Sequence, residues 1–303
     1  MPTPAIALSG VTKRFGLKTA VQDLSLEVAE GSLCGFIGPN GSGKTTTIRM
    51  ILRILLPTEG SVRVLGEETG DAADDRTGYL PEERGLYRRM RVREVLRFFA
   101  KLKGVRKPDV AIDRWLERLD LREREMSRID TLSKGLAQKV QLIAAVLHDP
   151  KLLILDEPFS GLDPVNVEVL REVVLDLRRR GTTVVFSTHD MDMAERLCDT
   201  VMMIHEGTKV LDGPVDAIKA QRGVETVRVR FAGETPSLDD LPGVARVADY
   251  GREQTLELEV EADAQMLAAE LFRRGELERF EVARPSLHEI FVGIAKPEEE
   301  SRA

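Results

Sequence analysis

Short apolar runs, each the length of a β-strand, alternate along the middle of the chain with segments in which apolar residues have helical spacing. The runs span residues 33–37, 151–155, 182–187 and 200–205. Strands buried on both faces have this continuous apolar character, and their alternation with helices is typical of a parallel, doubly wound sheet. We therefore predict an α/β fold with a mostly parallel sheet, whose ligand binds beyond the carboxyl ends of the strands.

The N-terminal part has a different pattern, in which apolar and polar positions alternate as they do in strands with one buried face. The alternation covers residues 6–11 and 21–28, on either side of a turn that contains Phe15. This pattern predicts an antiparallel sheet at the edge of the fold. Helical spacing dominates residues 92–136 instead, which indicates a helical insertion, predicted as a subdomain at about 86–145.

Two domains are predicted along the chain. The first covers residues 1–222 and contains both sheets and the helical subdomain. Beyond it, alternate positions are apolar at residues 227–231, and residues 264–274 have helical spacing. These patterns predict a small C-terminal α+β domain over residues 223–303.

Composition narrows the class of protein. The 303 residues are 42% hydrophobic and 31% charged, which is ordinary for a globular chain that folds without disulfides. Cys34 and Cys198 lack metal-ligand spacing, and we expect two unpaired thiols in a reducing compartment. The net charge of -7 argues against nucleic acid as the main ligand, so no nucleic-acid partner is expected.

The chain lacks the sequence features of membrane insertion. The first four residues have no basic region and no apolar core behind them, which argues against a signal peptide. No apolar run approaches the length of a membrane span. We therefore expect a soluble protein, or one attached to a membrane only through a partner.

A glycine-rich motif, G-x-x-x-x-G-K-T, follows the apolar run 33–37 and precedes the helical segment 45–55. Its glycines let successive backbone N–H groups converge on phosphate oxygens, and the positive end of the following helix adds to the attraction. Lys44 then neutralises the β and γ phosphates, and the Thr45 hydroxyl binds Mg²⁺. Such a motif can arise by accident, but the flanking strand and helix favour nucleotide binding. The predicted phosphate-binding residues are Gly38, Pro39, Asn40, Gly41, Ser42, Gly43, Lys44, Thr45 and Thr46.

Two adjacent carboxylates follow the apolar residues 152–155. Asp156 suits the Mg²⁺ shell, and Glu157, which points differently, suits the orientation and polarisation of a water for attack on the γ-phosphate. A strand that simply ends at two acids before Pro158 is the alternative interpretation. The glycine motif upstream favours the catalytic one.

Between these motifs, residues 132–139 read Leu-Ser-Lys-Gly-Leu-Ala-Gln-Lys at the start of an apolar helix. Alone, the segment would be a helix capped by Ser133. Placed shortly before the acidic strand, it resembles the signature of the ATPase subunits of ATP-binding cassette (ABC) transporters, which is ideally Leu-Ser-Gly-Gly-Gln. The resemblance covers roughly residues 5–222. It implies a P-loop NTPase fold, ATP and Mg²⁺ as cofactors, and ATP hydrolysis.

The resemblance also implies roles for residues outside the two motifs. It implies that Phe15 stacks on adenine, that Asp163 lies in a loop coupling two sites of a dimer, and that His189 senses the γ-phosphate. A turn aromatic, an ordinary turn and a structural histidine are the alternatives at these positions. In the family, the signature of one protomer covers ATP held by the other. Ser133 and Gly135 therefore imply a homodimer, or pairing with a similar ATPase subunit.

The catalytic and metal-binding residues are predicted from the motifs together with the resemblance. The catalytic residues are Glu157, His189 and Lys44, and the residues near Mg²⁺ are Thr45, Asp156 and Glu82.

Three positions depart from the family's pattern. Glu82 stands where the family usually has the glutamine of its sensing loop; it can still approach Mg²⁺ but adds a negative charge near the phosphates. In the signature, Lys134 replaces the first glycine and Leu136 replaces the glutamine. Ser133, Gly135 and the helix N-terminus still offer donors to the γ-phosphate.

The same variations place the chain near one subgroup of the family. Leu-Pro-Glu-Glu-Arg-Gly-Leu-Tyr at 80–87, Leu-Ser-Lys-Gly at 132–135 and the C-terminal segment 285–291 resemble bacterial ATPases that serve export-type (ABC-2-like) permeases. The resemblance implies a separate integral-membrane permease as partner and a cytoplasmic location, peripheral on the membrane.

Two alternative functions compete with transport. One is a non-transport cassette protein acting as a nucleotide switch on ribosomes or DNA, and the other is a P-loop kinase. The absence of a second cassette or a long coiled-coil insertion disfavours the first, and the signature helix disfavours the second.

Overall fold

The computed structural model describes residues 3–68, 75–83, 85–221, 226–233, 236–238, 240–259 and 262–295. Residue 84 of the segment 80–87 and residues 296–303 of the predicted second domain lie outside these ranges.

The strands are β1 (Ile6–Phe15), β2 (Lys18–Val28), β3 (Leu33–Ile37), β4 (Glu59–Val64), β5 (Glu67–Glu68), β6 (Thr77–Leu80), β7 (Leu152–Asp156), β8 (Thr183–Thr188), β9 (Thr200–His205), β10 (Thr208–Pro214), β11 (Thr226–Phe231), β12 (Val244–Asp249), β13 (Gln254–Leu258) and β14 (Leu277–Ala283). The helices are α1 (Lys44–Ile51), α2 (Val92–Leu102), α3 (Pro108–Arg118), α4 (Lys134–Val146), α5 (Pro164–Arg179), α6 (Met191–Leu197), α7 (Val215–Gln221), α8 (Ala264–Arg274) and α9 (Leu287–Ala295).

The chain divides into two compact units, Met1–Gly213 and Pro214–Ala303. The division precedes the boundary predicted after residue 222, because the edge strand β10, which ends at Pro214, is the last element of the large sheet. Helix α7 accordingly falls in the second unit.

The large sheet of the first unit has the strand order β10-β9-β3-β8-β7-β6. The pairs β6–β7, β7–β8, β3–β8 and β3–β9 are parallel, as predicted. Strand β7 shows why its sequence is continuously apolar: Leu153 and Leu155 pack into one hydrophobic core, and Leu152 and Ile154 into another on the opposite face. The predicted doubly wound α/β sheet is confirmed.

The N-terminal strands form the predicted antiparallel sheet, which is separate from the large sheet and has the order β2-β1-β4-β5. Strand β1 pairs antiparallel with both β2 and β4. Its apolar face shares a core with helix α1 and one face of the large sheet. Helix α1 ends before the predicted residue 55, because Arg53 adopts a left-handed φ of 59°.

The helical insertion lies between β6 and β7, as predicted, and consists of α2, α3, two short 3-10 turns and α4. Arg93 of α2 forms ion pairs with Asp109, Asp113 and Glu125, which join α2 to α3 and to the turn that follows. Helix α4 is buried over most of its length, because it contributes to the core that the insertion shares with the large sheet.

The second unit contains an antiparallel sheet with the order β12-β13-β11-β14. Val227 and Val229 of β11 pack with Leu267 and Leu271 of α8 in a separate core. A capping box opens α9, in which Ser286 N–H donates to Glu289 Oε2 at 2.6 Å and Glu289 N–H donates to Ser286 Oγ at 3.2 Å. This unit is therefore the predicted small α+β fold.

Cys34 and Cys198 are both free thiols. Burial raises the pKa of Cys34 to about 12, so this cysteine packs as a neutral apolar side chain. Within the described ranges, every helix is too short or too polar to cross a lipid bilayer.

Candidate functional site

Four loops meet at one edge of the large sheet, because they follow the adjacent parallel strands β3, β8, β7 and β6. The glycine loop follows β3, and His189 follows β8. Asp156 is the last residue of β7 and Glu157 comes directly after it, and Glu82 lies just after β6. A cleft of about 620 Å³, here called the P-loop cleft, opens at this edge. The predicted site residues that line it are Phe15, Asn40, Gly41, Gly43, Lys44, Thr45, Thr46, Glu82 and Glu157.

The glycine loop tolerates no side chain at two of its positions. Gly38 has a φ of 149°, and a Cβ there would lie 2.2 Å from the carbonyl oxygen of Ile204. Gly43 has a φ of 115°, and its Cβ would lie 2.7 Å from the carbonyl oxygen of Ala20. The loop is therefore built from backbone groups in conformations that only glycine adopts freely.

The N-terminus of α1 has the features of an anion-binding site. Its N-cap residue is Gly43, which provides no side-chain cap, and its first turn contains no acidic residue. The N–H groups of that turn are therefore available to a ligand. Ser42 Oγ is only 3% exposed and has no hydrogen-bond partner among the described residues. A phosphate oxygen would satisfy such an orphaned hydroxyl, so the loop fits the phosphate ligand that its sequence predicts.

Lys44 is buried at the base of the P-loop cleft. Its Nζ donates to the carbonyl oxygens of Gly38 at 2.7 Å and Pro39 at 3.1 Å, and lies 3.7 Å from Glu157 Oε1. Burial lowers the pKa of Lys44, and the carboxylates of Glu157 and Asp156 oppose that shift. The ammonium group is thus held against the glycine loop and close to a carboxylate.

Asp156 is buried and is held by two hydroxyl groups. Its Oδ1 accepts from Ser187 Oγ at 2.5 Å and from Thr45 Oγ1 at 3.4 Å. A hydroxyl and a carboxylate of this kind are ligands that Mg²⁺ takes alongside phosphate and water oxygens. Across the ranges that the structure describes, no group of three or more His, Cys, Asp or Glu residues is placed to hold a metal ion. Thr45 and Asp156 therefore fit an ion whose shell the phosphates complete, rather than one held by protein alone.

Glu157 adopts a left-handed backbone φ of 47°. Left-handed backbone in a non-glycine residue is strained and persists where surrounding contacts fix it. Here the Glu157 N–H donates to Ser187 Oγ at 3.0 Å, and both carboxylate oxygens lie 3.1 Å from His189 Nδ1. The side chain of His189 remains 56% exposed. Of this pair, Glu157 lines the P-loop cleft, whereas His189 does not.

The signature residues lie apart from the P-loop cleft, in a group that we call the signature cluster: Ser133, Gly135, Asp163 and Asn166. Ser133 is exposed and caps α4, accepting from the Leu136 N–H at 3.3 Å. A Cβ on Gly135 would lie 2.6 Å from Asn166 Nδ2, and that amide donates to Asp163 Oδ2 at 2.5 Å. Hydrogen bonds from Asn166 hold the pKa of Asp163 below its usual value. The loop that carries Asp163 and the start of α4 are therefore in contact within one chain, and neither lines the cleft.

Lys134, which replaces a glycine of the signature, lies against the coupling loop. A Cβ on Gly161 would be 2.0 Å from Lys134 Nζ. The substitution therefore places a cation beside the loop that carries Asp163.

Two models of protein families match the chain. That of the ABC transporter family matches residues 21–160, and one described as the ATP-binding protein DrrA1-3-like C-terminal domain matches residues 213–295. The ABC transporter ATP-binding protein YhaQ of Bacillus subtilis (strain 168) is 41% identical over 289 residues, which cover 95% of this chain and 97% of that protein. The chain belongs to the family of ABC transporter ATP-binding proteins.

Two further similarities extend this assignment. The Nod factor export ATP-binding protein I of Rhizobium sp. (strain N33) is 36% identical to this ABC ATPase, over 99% of this chain and 100% of that protein. A solved ATP-binding subunit of an ABC transporter superposes with a TM-score of 0.68 at 30% identity, covering 72% of this chain and 92% of that chain.

Family membership confirms the main functional predictions. The chain is an ATP-binding subunit of an ABC transporter with a P-loop NTPase fold, and its activity is that of an ATPase. ATPase subunits of ABC transporters dimerise and act with membrane permeases. The comparisons give no support to a nucleotide switch acting on ribosomes or DNA.

Phe15 of this ABC ATPase is not part of a local core. It is 48% exposed and lines the P-loop cleft, with Lys13 Nζ 5.2 Å from the centre of its ring. The alternative of a buried turn aromatic is therefore wrong. Its stacking on adenine stays a prediction.

Ser187 is a site residue that the sequence interpretation missed. It ends the apolar part of β8, pairs in register with Asp156, and bonds both that carboxylate and the Glu157 N–H. A polar residue at the carboxyl end of an apolar strand is the only signal of this role in the sequence. That signal has meaning only once β8 is known to lie beside β7.

Proposed function

We propose that this ABC ATPase hydrolyses ATP at two composite sites of a homodimer and thereby drives a separate export-type permease. The observation that supports it is the separation of the P-loop cleft from the signature cluster. One chain supplies a phosphate loop and a catalytic carboxylate in the cleft, whereas Ser133 and Asp163 face solvent elsewhere. A second chain, related by twofold symmetry, would bring its signature cluster to this cleft and complete both sites at once.

In this proposal the phosphates of ATP bind the glycine loop. Free backbone N–H groups of the glycine loop and of the first turn of α1, together with Ser42 Oγ, contact phosphate oxygens, and Lys44 neutralises charge on the β and γ phosphates. Thr45 and Asp156 would hold Mg²⁺, with Glu82 near it. The bound ion would supply positive charge that stabilises the negative charge developing on the leaving ADP. Phe15 stacks on the adenine at the rim of the cleft.

Glu157 is the catalytic carboxylate of the proposed reaction. It orients a water and accepts its proton as the water oxygen bonds to the γ-phosphorus. The bond from that phosphorus to the β–γ bridging oxygen breaks, and ADP and inorganic phosphate leave. His189, 3.1 Å from both Glu157 oxygens, positions the carboxylate and contacts the γ-phosphate. Ser133, Gly135 and the N-terminus of α4 from the second chain contact the same phosphate.

The permease is proposed to dock beside the loop that carries Glu82. An apolar cavity of about 330 Å³, here called the apolar cavity, lies there between α1 and the helical insertion. Its lining includes Leu52, Ile54, Leu86 and Phe99, and Ile54 is largely exposed. An apolar helix segment of a membrane protein fits such a groove. The ATPase would then sit on the cytoplasmic face of the membrane, and closure of the dimer would move the permease helices.

Export is proposed because a full-length relative carries an export name, that of Nod factor export ATP-binding protein I. The match of the second unit to the DrrA1-3-like C-terminal domain supports the same subgroup.

Two measurements test the proposal. The first is purification of the protein from membranes in mild detergent, and the second is the release of inorganic phosphate from ATP. We expect a multi-span permease to co-purify. We also expect ATP to be hydrolysed to ADP and free inorganic phosphate without any acceptor molecule other than water. Lys44→Ala and Glu157→Gln should each remove this activity, whereas Glu117→Gln, an exposed carboxylate on α3, should not. Recovery with ribosomes alone, or hydrolysis that survives both Lys44→Ala and Glu157→Gln, would contradict the proposed function.

A further inference from the structure

Gln141 of α4 holds the loop between β6 and α2 from both sides of Glu82. Its Nε2 donates to the carbonyl oxygen of Pro81 at 3.1 Å and to that of Glu83 at 3.2 Å. Gln141 is 4% exposed, so both bonds are shielded from water. One amide that bridges the carbonyls before and after a residue restricts the backbone of that residue, and here the residue is Glu82.

Glu82 lies where its orientation matters to the nucleotide. It lines the P-loop cleft with Lys44 and Glu157. The family's usual glutamine carries no charge, whereas a misdirected carboxylate next to phosphates repels them. A fixed orientation of the side chain therefore matters more for a glutamate at this position than for a glutamine.

A second glutamine of α4 has the same type of contact with the other catalytic loop. Gln138 Nε2 donates to the carbonyl oxygen of Pro158, the residue that follows Glu157, at 3.2 Å. Gln138 and Gln141 are three residues apart, so they lie on the same face of the helix. The helix that begins beside the signature residue Ser133 thus contacts both carboxylate-bearing loops.

Gln141 also lines the apolar cavity. It is therefore in contact with the surface proposed for the permease on one side and with the Glu82 loop on the other. We propose that Gln141 is a positioning residue, which clamps the carbonyls of Pro81 and Glu83 so that the Glu82 carboxylate is held toward the Mg²⁺–ATP site. This inference rests on the proposed function of the P-loop cleft.

The test measures ATP affinity by calorimetry at several Mg²⁺ concentrations, in full-length protein carrying Glu157→Gln to stop hydrolysis. Gln141→Met keeps the volume of the side chain but removes both donors. We expect it to weaken Mg²⁺–ATP binding about tenfold, the lower end of the effect of residues that orient metal-site ligands. In the Glu82→Gln background, the same substitution should change the affinity less than about twofold, because the clamped carboxylate is gone.

The control is Gln138→Met on the same face of α4. In otherwise unmodified protein it should lower kcat through the Glu157 loop and leave the Mg²⁺ dependence of ATP binding unchanged. Gln141→Asn, which shortens the side chain and withdraws the amide from both carbonyl oxygens, is the second variant if Gln141→Met fails to fold; it should weaken Mg²⁺–ATP binding to a similar extent.

Two results would overturn the role of Gln141. One is an equal loss of affinity from Gln141→Met with and without Glu82→Gln, which would show that the glutamine acts through the general stability of α4. The other is an equal shift in Mg²⁺ dependence from Gln138→Met. Failure of the proposed function is distinguishable, because then protein with only Glu157→Gln would bind no Mg²⁺–ATP.

Discussion

The P-loop cleft and the signature cluster differ in how their polar groups are arranged. At the P-loop cleft, Lys44, Asp156 and Ser187 are buried and bond to nearby side chains or backbone, and Ser42 Oγ has no hydrogen-bond partner in the part of the chain that the structure describes. In the signature cluster, Ser133 and Asp163 are exposed; Ser133 caps α4, and Asp163 accepts hydrogen bonds from the backbone and side-chain amides of Asn166. One chain therefore preorganises the phosphate-binding and catalytic half of a site, and presents the other half outward.

The largest expected effect is on the rate of the chemical step in the P-loop cleft, as distinct from the affinity for ATP. Glu157→Gln removes the proton acceptor while it keeps the shape of the side chain, so kcat for ATP hydrolysis should fall by about 10²–10⁴-fold. Affinity for ATP should stay near that of the unmodified protein, as measured by equilibrium titration. A variant that hydrolyses ATP at the normal rate would show that another group accepts the proton.

The next effect concerns the residue that joins the two carboxylates. Ser187→Ala removes the closer of the two hydroxyl groups that bond the buried Asp156 carboxylate, and it removes the hydroxyl that accepts from the Glu157 N–H. We expect a loss of about 1–3 kcal/mol in the free energy of unfolding in urea and a tenfold or larger fall in kcat. Thr188→Val is the matched control, because the hydroxyl of Thr188 accepts from the Asp190 N–H instead. Equal kinetic effects from both variants would assign the loss to strand β8 in general.

The smallest expected effect concerns His148, which lies beyond the C-terminal end of α4 and belongs to neither the P-loop cleft nor the signature cluster. Burial lowers the pKa of His148, whose Nε2 lies 3.2 Å from the carbonyl oxygen of Thr77. The unfolded chain then binds more protons than the folded one, so the free energy of unfolding should fall as the pH is lowered from about 6.5 through the folded-state pKa. His148→Gln should flatten this dependence and leave ATP affinity unchanged, as followed by urea titrations across pH. A pH dependence that persists in the variant would assign it to other groups.

The sequence was sufficient for features that depend on local pattern. The unbroken apolar runs of β7 and β8 predict strands buried on both faces, and the glycine motif predicts the phosphate loop before α1. The two carboxylates at the end of β7 also follow from their place after an apolar run.

Features that depend on distant partners could not be predicted in this way. The contacts of Ser187 and Gln141 each join a polar side chain to residues distant in the sequence, and Gln141 is 60 residues from Pro81 along the chain. Their partners become evident only when the strand order and the position of α4 are known. The antiparallel N-terminal sheet was predicted, but the pairing of β4 with β1 was not, because the sequence pattern of β4 does not show its partner.

The central claim, that each complete site needs two chains, is tested most directly by sedimentation velocity of the Glu157→Gln protein with and without ATP. We predict a monomer without ATP and a dimer with it. Adding Ser133→Arg, which fills the exposed signature surface with a long cation, should leave ATP affinity intact but abolish the dimer. A protein that stays monomeric with saturating ATP, both at high concentration and within its native membrane complex, would contradict the claim, as would a Ser133→Arg protein that dimerises as well as its parent.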